Sequence, residues 1–93
     1  METYVLGSAV TITAVLEEDL NSAGTATISI YNSDDSLQVT DATMTEEQDR
    51  VFSYVYQSTD DNISGIYKAV IKITVGSYTT IDYKQFNLED VQP

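Results

Sequence analysis

Fifteen aspartates and glutamates, four lysines and arginines, and no histidine or cysteine define the chemistry open to this 93-residue chain. Without an imidazole or a thiol, His-activated nucleophiles and thiolate zinc sites are excluded. Carboxylate pairs are the remaining route to acid–base work, and in so acidic a chain such pairs arise by chance. The sequence reads as non-enzymatic and calls for no cofactor.

Calcium is the ion these acids suggest, since it binds hard oxygens presented by loops. Ten of the fifteen acids fall in four clusters: Glu17-Glu18-Asp19, Asp34-Asp35, Glu46-Glu47 with Asp49, and Asp60-Asp61. In a β-sandwich alternate loops gather at opposite ends, so Asp34 and Asp35 are expected beside Asp60 and Asp61, forming the candidate metal site. The remaining two clusters would meet at the other end. No Asp-x-Asp-x-Asp-Gly loop is present, and the plainer reading of an acidic loop is solvated surface.

Tyr4, Tyr31, Tyr78 and Tyr83 offer a second chemistry. If exposed together they would form an aromatic strip for a carbohydrate or a protein partner, although ordinary strand propensity accounts for them equally directly. Asn62-Ile63-Ser64 matches the acceptor sequon for N-glycosylation, which matters only in a secreted protein.

The elements that must position these residues are strands. Ala9 to Leu16 places Val10, Ile12, Ala14 and Leu16 on one face and threonines on the other; Thr25 to Asn32 repeats the pattern with Ala26, Ile28 and Ile30. This is the two-residue period of a half-buried strand. Gly65 to Gly76 is expected to be central, with Tyr67, Ala69, Ile71, Ile73 and Val75 inward and Lys68 and Lys72 outward. Thr3 to Leu6 makes a short first strand, and Leu37 to Thr40 a short edge strand. Arg50 to Gln57 brings Phe52, Tyr54 and Tyr56 inside. Between them, Glu17 to Gly24, Asn32 to Ser36, Thr45 to Asp49 and Ser58 to Ser64 read as loops or turns. Gly76-Ser77 makes a hairpin loop. In the last strand, Tyr78 to Leu88, the apolar residues change parity between Tyr83 and Phe86, so a bulge near Lys84-Gln85 would keep Ile81, Tyr83, Phe86 and Leu88 all inside.

A net charge of −11 repels nucleic acid and anionic membrane surfaces, and no apolar run approaches the ~20 residues of a membrane helix. Met1-Glu2-Thr3 lacks the basic and apolar segments of a secretory leader. A chain that enters its first strand at once and stops soon after its last is expected to be a single domain, residues 1–93, cut from a larger protein.

Gly65-Ile66-Tyr67-Lys68-Ala69 resembles the Gly-x-Tyr-x-Cys segment of immunoglobulin domains, with Ala69 in place of the cysteine. The whole chain is similar to macroglobulin-type and bacterial or archaeal immunoglobulin-like modules, through the Ala26 to Tyr31 strand, Phe52-Ser53-Tyr54-Val55-Tyr56, Gly-x-Tyr and the closing Phe86-Asn87-Leu88. That resemblance implies an all-β, antiparallel Greek-key sandwich of about seven strands. It makes Tyr67 a structural corner, its hydroxyl bonding back to the backbone near Asp61. It also implies a non-catalytic structural or adhesive module of an extracellular, cell-surface or virion protein, with neighbouring domains or other proteins as partners. The alternative is a calcium- or carbohydrate-binding accessory module. Strand C has no tryptophan, both cysteines are missing, and Ile63 stands where an acid is usual.

Overall fold

A computed structural model describes residues 1–15, 24–48, 51–59 and 62–90. They form eight strands: β1 (Glu2–Val5), β2 (Ala9–Val15), β3 (Thr25–Tyr31), β4 (Leu37–Thr43), β5 (Thr45–Gln48), β6 (Val51–Gln57), β7 (Gly65–Val75) and β8 (Tyr78–Glu89). Five make one sheet in the order β1-β8-β7-β3-β4, and three make the other in the order β2-β6-β5. The result is an antiparallel β-sandwich with one exception, β1, which runs parallel to β8. The long-range pairings β2·β6 and β3·β7 join strands far apart in the chain, so the chain crosses repeatedly between the sheets.

Alternation becomes burial directly. Val10, Ile12 and Ala14 of β2 and Ala26, Ile28 and Ile30 of β3 are buried while the residues between them are not. Along β7, Tyr67, Ala69, Ile71, Ile73 and Val75 are buried, and Lys72 is exposed. The two inner faces close on one apolar core that also takes in Leu6, Met44, Phe52, Tyr56, Phe86 and Leu88. Tyr54 only packs against its margin.

The structure corrects the expected strand list in three places. The acidic stretch from Thr45 is strand β5 through Gln48, paired with β6, and raises the strand count from about seven to eight; Asp49 lies outside the described residues. An edge position lets glutamates point to water and tolerates them, as edge strands commonly do. Strand β4 does lie at a sheet edge but runs on to Thr43, with register shifts against β3 and Asp41 at φ 45°.

The third correction concerns β8. Its register with β7 is unbroken from Gly65↔Leu88 to Val75↔Tyr78, so there is no bulge near Lys84-Gln85. Directly opposed residues share a face, and Ile81 and Tyr83 therefore stand outward, 57% and 52% exposed, beside Lys72 and Val70. Keeping the ladder whole outweighs hiding two side chains, because each interrupted backbone pair leaves polar groups without their partner.

Candidate functional site

Among the sequence-derived candidates, Asp34 and Asp35 occupy the turn between β3 and β4. Asn32 builds that turn: its side-chain oxygen accepts from the Asp34 and Ser36 N–H groups, both at 2.9 Å. Asp35 takes φ 64°, a left-handed conformation that aspartate tolerates better than most residues. Its carboxylate takes a 3.0 Å ion pair with Lys68, whose ammonium is held above its usual range chiefly by that hydrogen bond. The turn does meet the segment before β7, through a 2.8 Å bond from the Ser33 hydroxyl to the Ser64 carbonyl. Asp60 and Asp61, the other half of the expected calcium site, lie outside the described residues, as do Glu17, Glu18 and Asp19. Among the described residues no three His, Cys, Asp or Glu side chains are grouped to hold a metal ion.

The tyrosines do not form one strip. Tyr4 packs edge-on against Phe86, with centroids 6.3 Å apart and planes at 84°, and borders the core. Tyr78 lies opposite Val75 at the hairpin end, on the inner side of the sheet. Only Tyr31 and Tyr83 share the outer face, flanking Lys68 and Val70 in the rows Tyr31↔Lys68 and Val70↔Tyr83.

Tyr67 is fully buried at the start of β7, stacked on Phe86 at 5.4 Å. Its hydroxyl donates a 2.7 Å bond to the carbonyl of Ile63, two residues beyond the expected neighbourhood of Asp61. The bond ties the incoming loop to the strand it feeds. Tyr67→Phe keeps the ring and orphans that carbonyl, so denaturant melts should show a loss of about 1 kcal/mol or more. Burial also pushes the Tyr67 and Tyr56 phenols above 10.0, Asn62 partly opposing this at Tyr56. A phenol with a raised folded-state pKa stabilises the fold below its unfolded value, so stability should fall as pH rises past about 10.

One residue that strand periodicity does not reveal is Ser58, the only buried polar side chain among the described residues. Its hydroxyl donates to the Ser8 carbonyl at 2.6 Å and accepts from the Gly7 N–H at 3.0 Å. Gln57 adds a 2.9 Å bond from its side-chain nitrogen to the Gly7 carbonyl. Together they fix the joint at which the chain leaves β1 in one sheet and enters β2 in the other. Gly7, at φ 97°, supplies the left-handed backbone the joint requires.

The surface has two shallow concavities of note. One, of about 130 Å³, opens between β2 and the β1·β8 pair over Tyr4, Ile12 and Phe86. The other, about 460 Å³ and wide open, lies between Ser64-Gly65 and Asn87 to Asp90. No family model and no curated protein matches the chain.

Proposed function

We propose that this chain is a non-catalytic structural or adhesive module with an immunoglobulin-like sandwich, one unit of an extracellular, cell-surface or virion protein that works under tension. The observation that carries the reading is the parallel pairing of its first and last described strands, Glu2↔Phe86 through Val5↔Glu89. A further bond, Leu6 N–H to the Glu89 carbonyl at 2.8 Å, extends the pair. Force applied through Met1 and the segment after Glu89 pulls β1 toward its start and β8 toward its finish. The two strands must then slide past each other, and evenly spaced parallel bonds resist together instead of opening one by one. The strand order β1-β8-β7-β3-β4 over β2-β6-β5, the Tyr67 corner bond and a longest dimension of 50 Å support a spacer of this kind.

The test is single-molecule stretching. Leu6 donates its N–H to β8, so strand alternation turns the Tyr4 N–H the same way. Tyr4→Pro deletes that donor and should lower the unfolding force relative to Tyr4→Ala, which loses only the ring. Equal forces for the two variants would remove the support for a tension-carrying β1·β8 pair.

A further inference from the structure

The sandwich has four sheet edges, β1 and β4 in one sheet and β2 and β5 in the other. Unpaired strand edges recruit other chains unless they are short, charged or irregular. Three are guarded in these ways. Strand β1 has four residues and Glu2, β5 has four residues with Glu46 and Glu47, and β4 carries Asp41 in a positive-φ kink with shifted register. Strand β2 has none of these devices. It is seven residues long, Ala-Val-Thr-Ile-Thr-Ala-Val, without charge, glycine or proline, and its register with β6 is unshifted.

The direction of its open groups follows from the ladder. Ser58 N–H donates to the Ser8 carbonyl at 3.2 Å, one step before the pair Ala9↔Gln57. Alternation then turns the backbone groups of Val10, Ile12 and Ala14 toward β6, and those of Ala9, Thr11 and Thr13 outward. Among the described residues no strand pairs with that outward side. The apolar groove over Tyr4, Ile12 and Phe86 opens along the same edge.

We infer that β2 is the docking edge for a second copy of this chain, added antiparallel about a two-fold axis through Ile12. In that register Thr11 exchanges backbone bonds with Thr13 of the second copy, and Ile12 meets its own counterpart in a close non-hydrogen-bonded pair. Val10 meets Ala14. All the inward residues stay on the inner side, and the grooves of the two copies close against each other. The stretch Ala9 to Val15 is close to a palindrome about Ile12, so the same operator sets threonine against threonine and apolar residue against apolar residue. A net charge of −11 per chain opposes the approach of two copies, so the contact is a weak one. Salt should strengthen it by screening that repulsion. The inference does not depend on whether the module carries tension, because Tyr4→Pro tests β1·β8 and the variants below leave that pair intact.

Sedimentation equilibrium of the 93-residue chain should show a monomer–dimer equilibrium that tightens between low salt and about 1 M salt, where the screening length is ~3 Å. The register is read by two double variants on the exposed side chains. Thr11→Glu with Thr13→Glu opposes like charges twice across the axis and should weaken association by about tenfold or more. Thr11→Lys with Thr13→Glu makes both cross-axis pairs complementary and should associate at least as tightly as the parent. Circular dichroism melts confirm that each variant is folded. A parent chain that stays monomeric at millimolar concentration in high salt overturns the inference. So does equal association of the two double variants.

Discussion

Phe86→Ala is expected to destabilise the sandwich by about 3–5 kcal/mol, the range for truncating a buried phenylalanine. Phe86 is 3% exposed and sits where four strands converge. Its ring stacks on Tyr67 of β7 at 5.4 Å, tilts against Tyr56 of β6 at 6.3 Å and receives the edge of Tyr4 of β1 at 6.3 Å. The β6 contact comes from the opposite sheet, so the ring couples both layers and also backs the β1·β8 pair. Truncation removes the ring's transfer energy and opens a cavity among rigid aromatic neighbours that cannot collapse into it. Small domains have a total stability of only about 5–15 kcal/mol, so the variant should lose a large share of its fold, read as a shifted midpoint in urea. A loss below about 1 kcal/mol would mean that this cluster is not the centre of the core.

Gly65→Ala is expected to cost about 3 kcal/mol, from two separate causes. The backbone at Gly65 has φ 127°, outside the regions open to L side chains, and imposing a Cβ there strains the chain by about 1–3 kcal/mol. That Cβ would also stand 2.6 Å from the Ser33 Cβ and 2.9 Å from its hydroxyl. Relief requires moving the turn whose Ser33 bonds to the Ser64 carbonyl. The double variant Gly65→Ala with Ser33→Gly, read against Ser33→Gly alone because both lack the Ser33 bond, separates the causes: it restores the space but not the torsion, so the Gly65→Ala step should recover only part of its loss in denaturant melts. Full recovery would show that crowding alone makes glycine necessary, and an unchanged single variant would contradict both terms.

Much of this architecture is legible in the residues. Strands β2, β3 and β7 announce themselves by strict alternation, and Gly65 and Gly76 mark the ends of the central strand. What alternation conveys is parity, and parity does not say how far the opposite layer reaches. Three strands face five, so the inner side of β8 is covered at Phe86 and Leu88. Farther along that side Lys84 and Asp82 stand 3.8 Å apart at its open flank. Reading Ile81 and Tyr83 as inward therefore required a bulge that the hairpin does not make. Glu46 and Glu47 concealed β5 for a related reason, since charge argues against a buried strand and says nothing against an edge one. Ser58 leaves no periodic trace because its role comes from a joint fifty residues upstream. The open side of β2 is equally silent in sequence, as a strand's partners are set by topology. For the acids, Asp35 is committed to Lys68, a pairing across 33 positions that local spacing cannot display.

The central claim is that β1 and β8 form a clasp loaded in shear, and direction of pull tests it most directly. The chain has no cysteine, so single introduced thiols define the attachment points. Pulling between residues 1 and 90 loads the β1·β8 bonds together. Pulling between residue 1 and a cysteine at the exposed Gln85, next to Phe86 where β1 begins its pairing, peels them open from Glu2 onward. The first geometry should require a clearly higher unfolding force at the same loading rate, because forced unfolding follows the unfolding barrier along the direction pulled. Equal forces in the two geometries, or a higher force when peeling, would contradict a tension-carrying role for the paired strands.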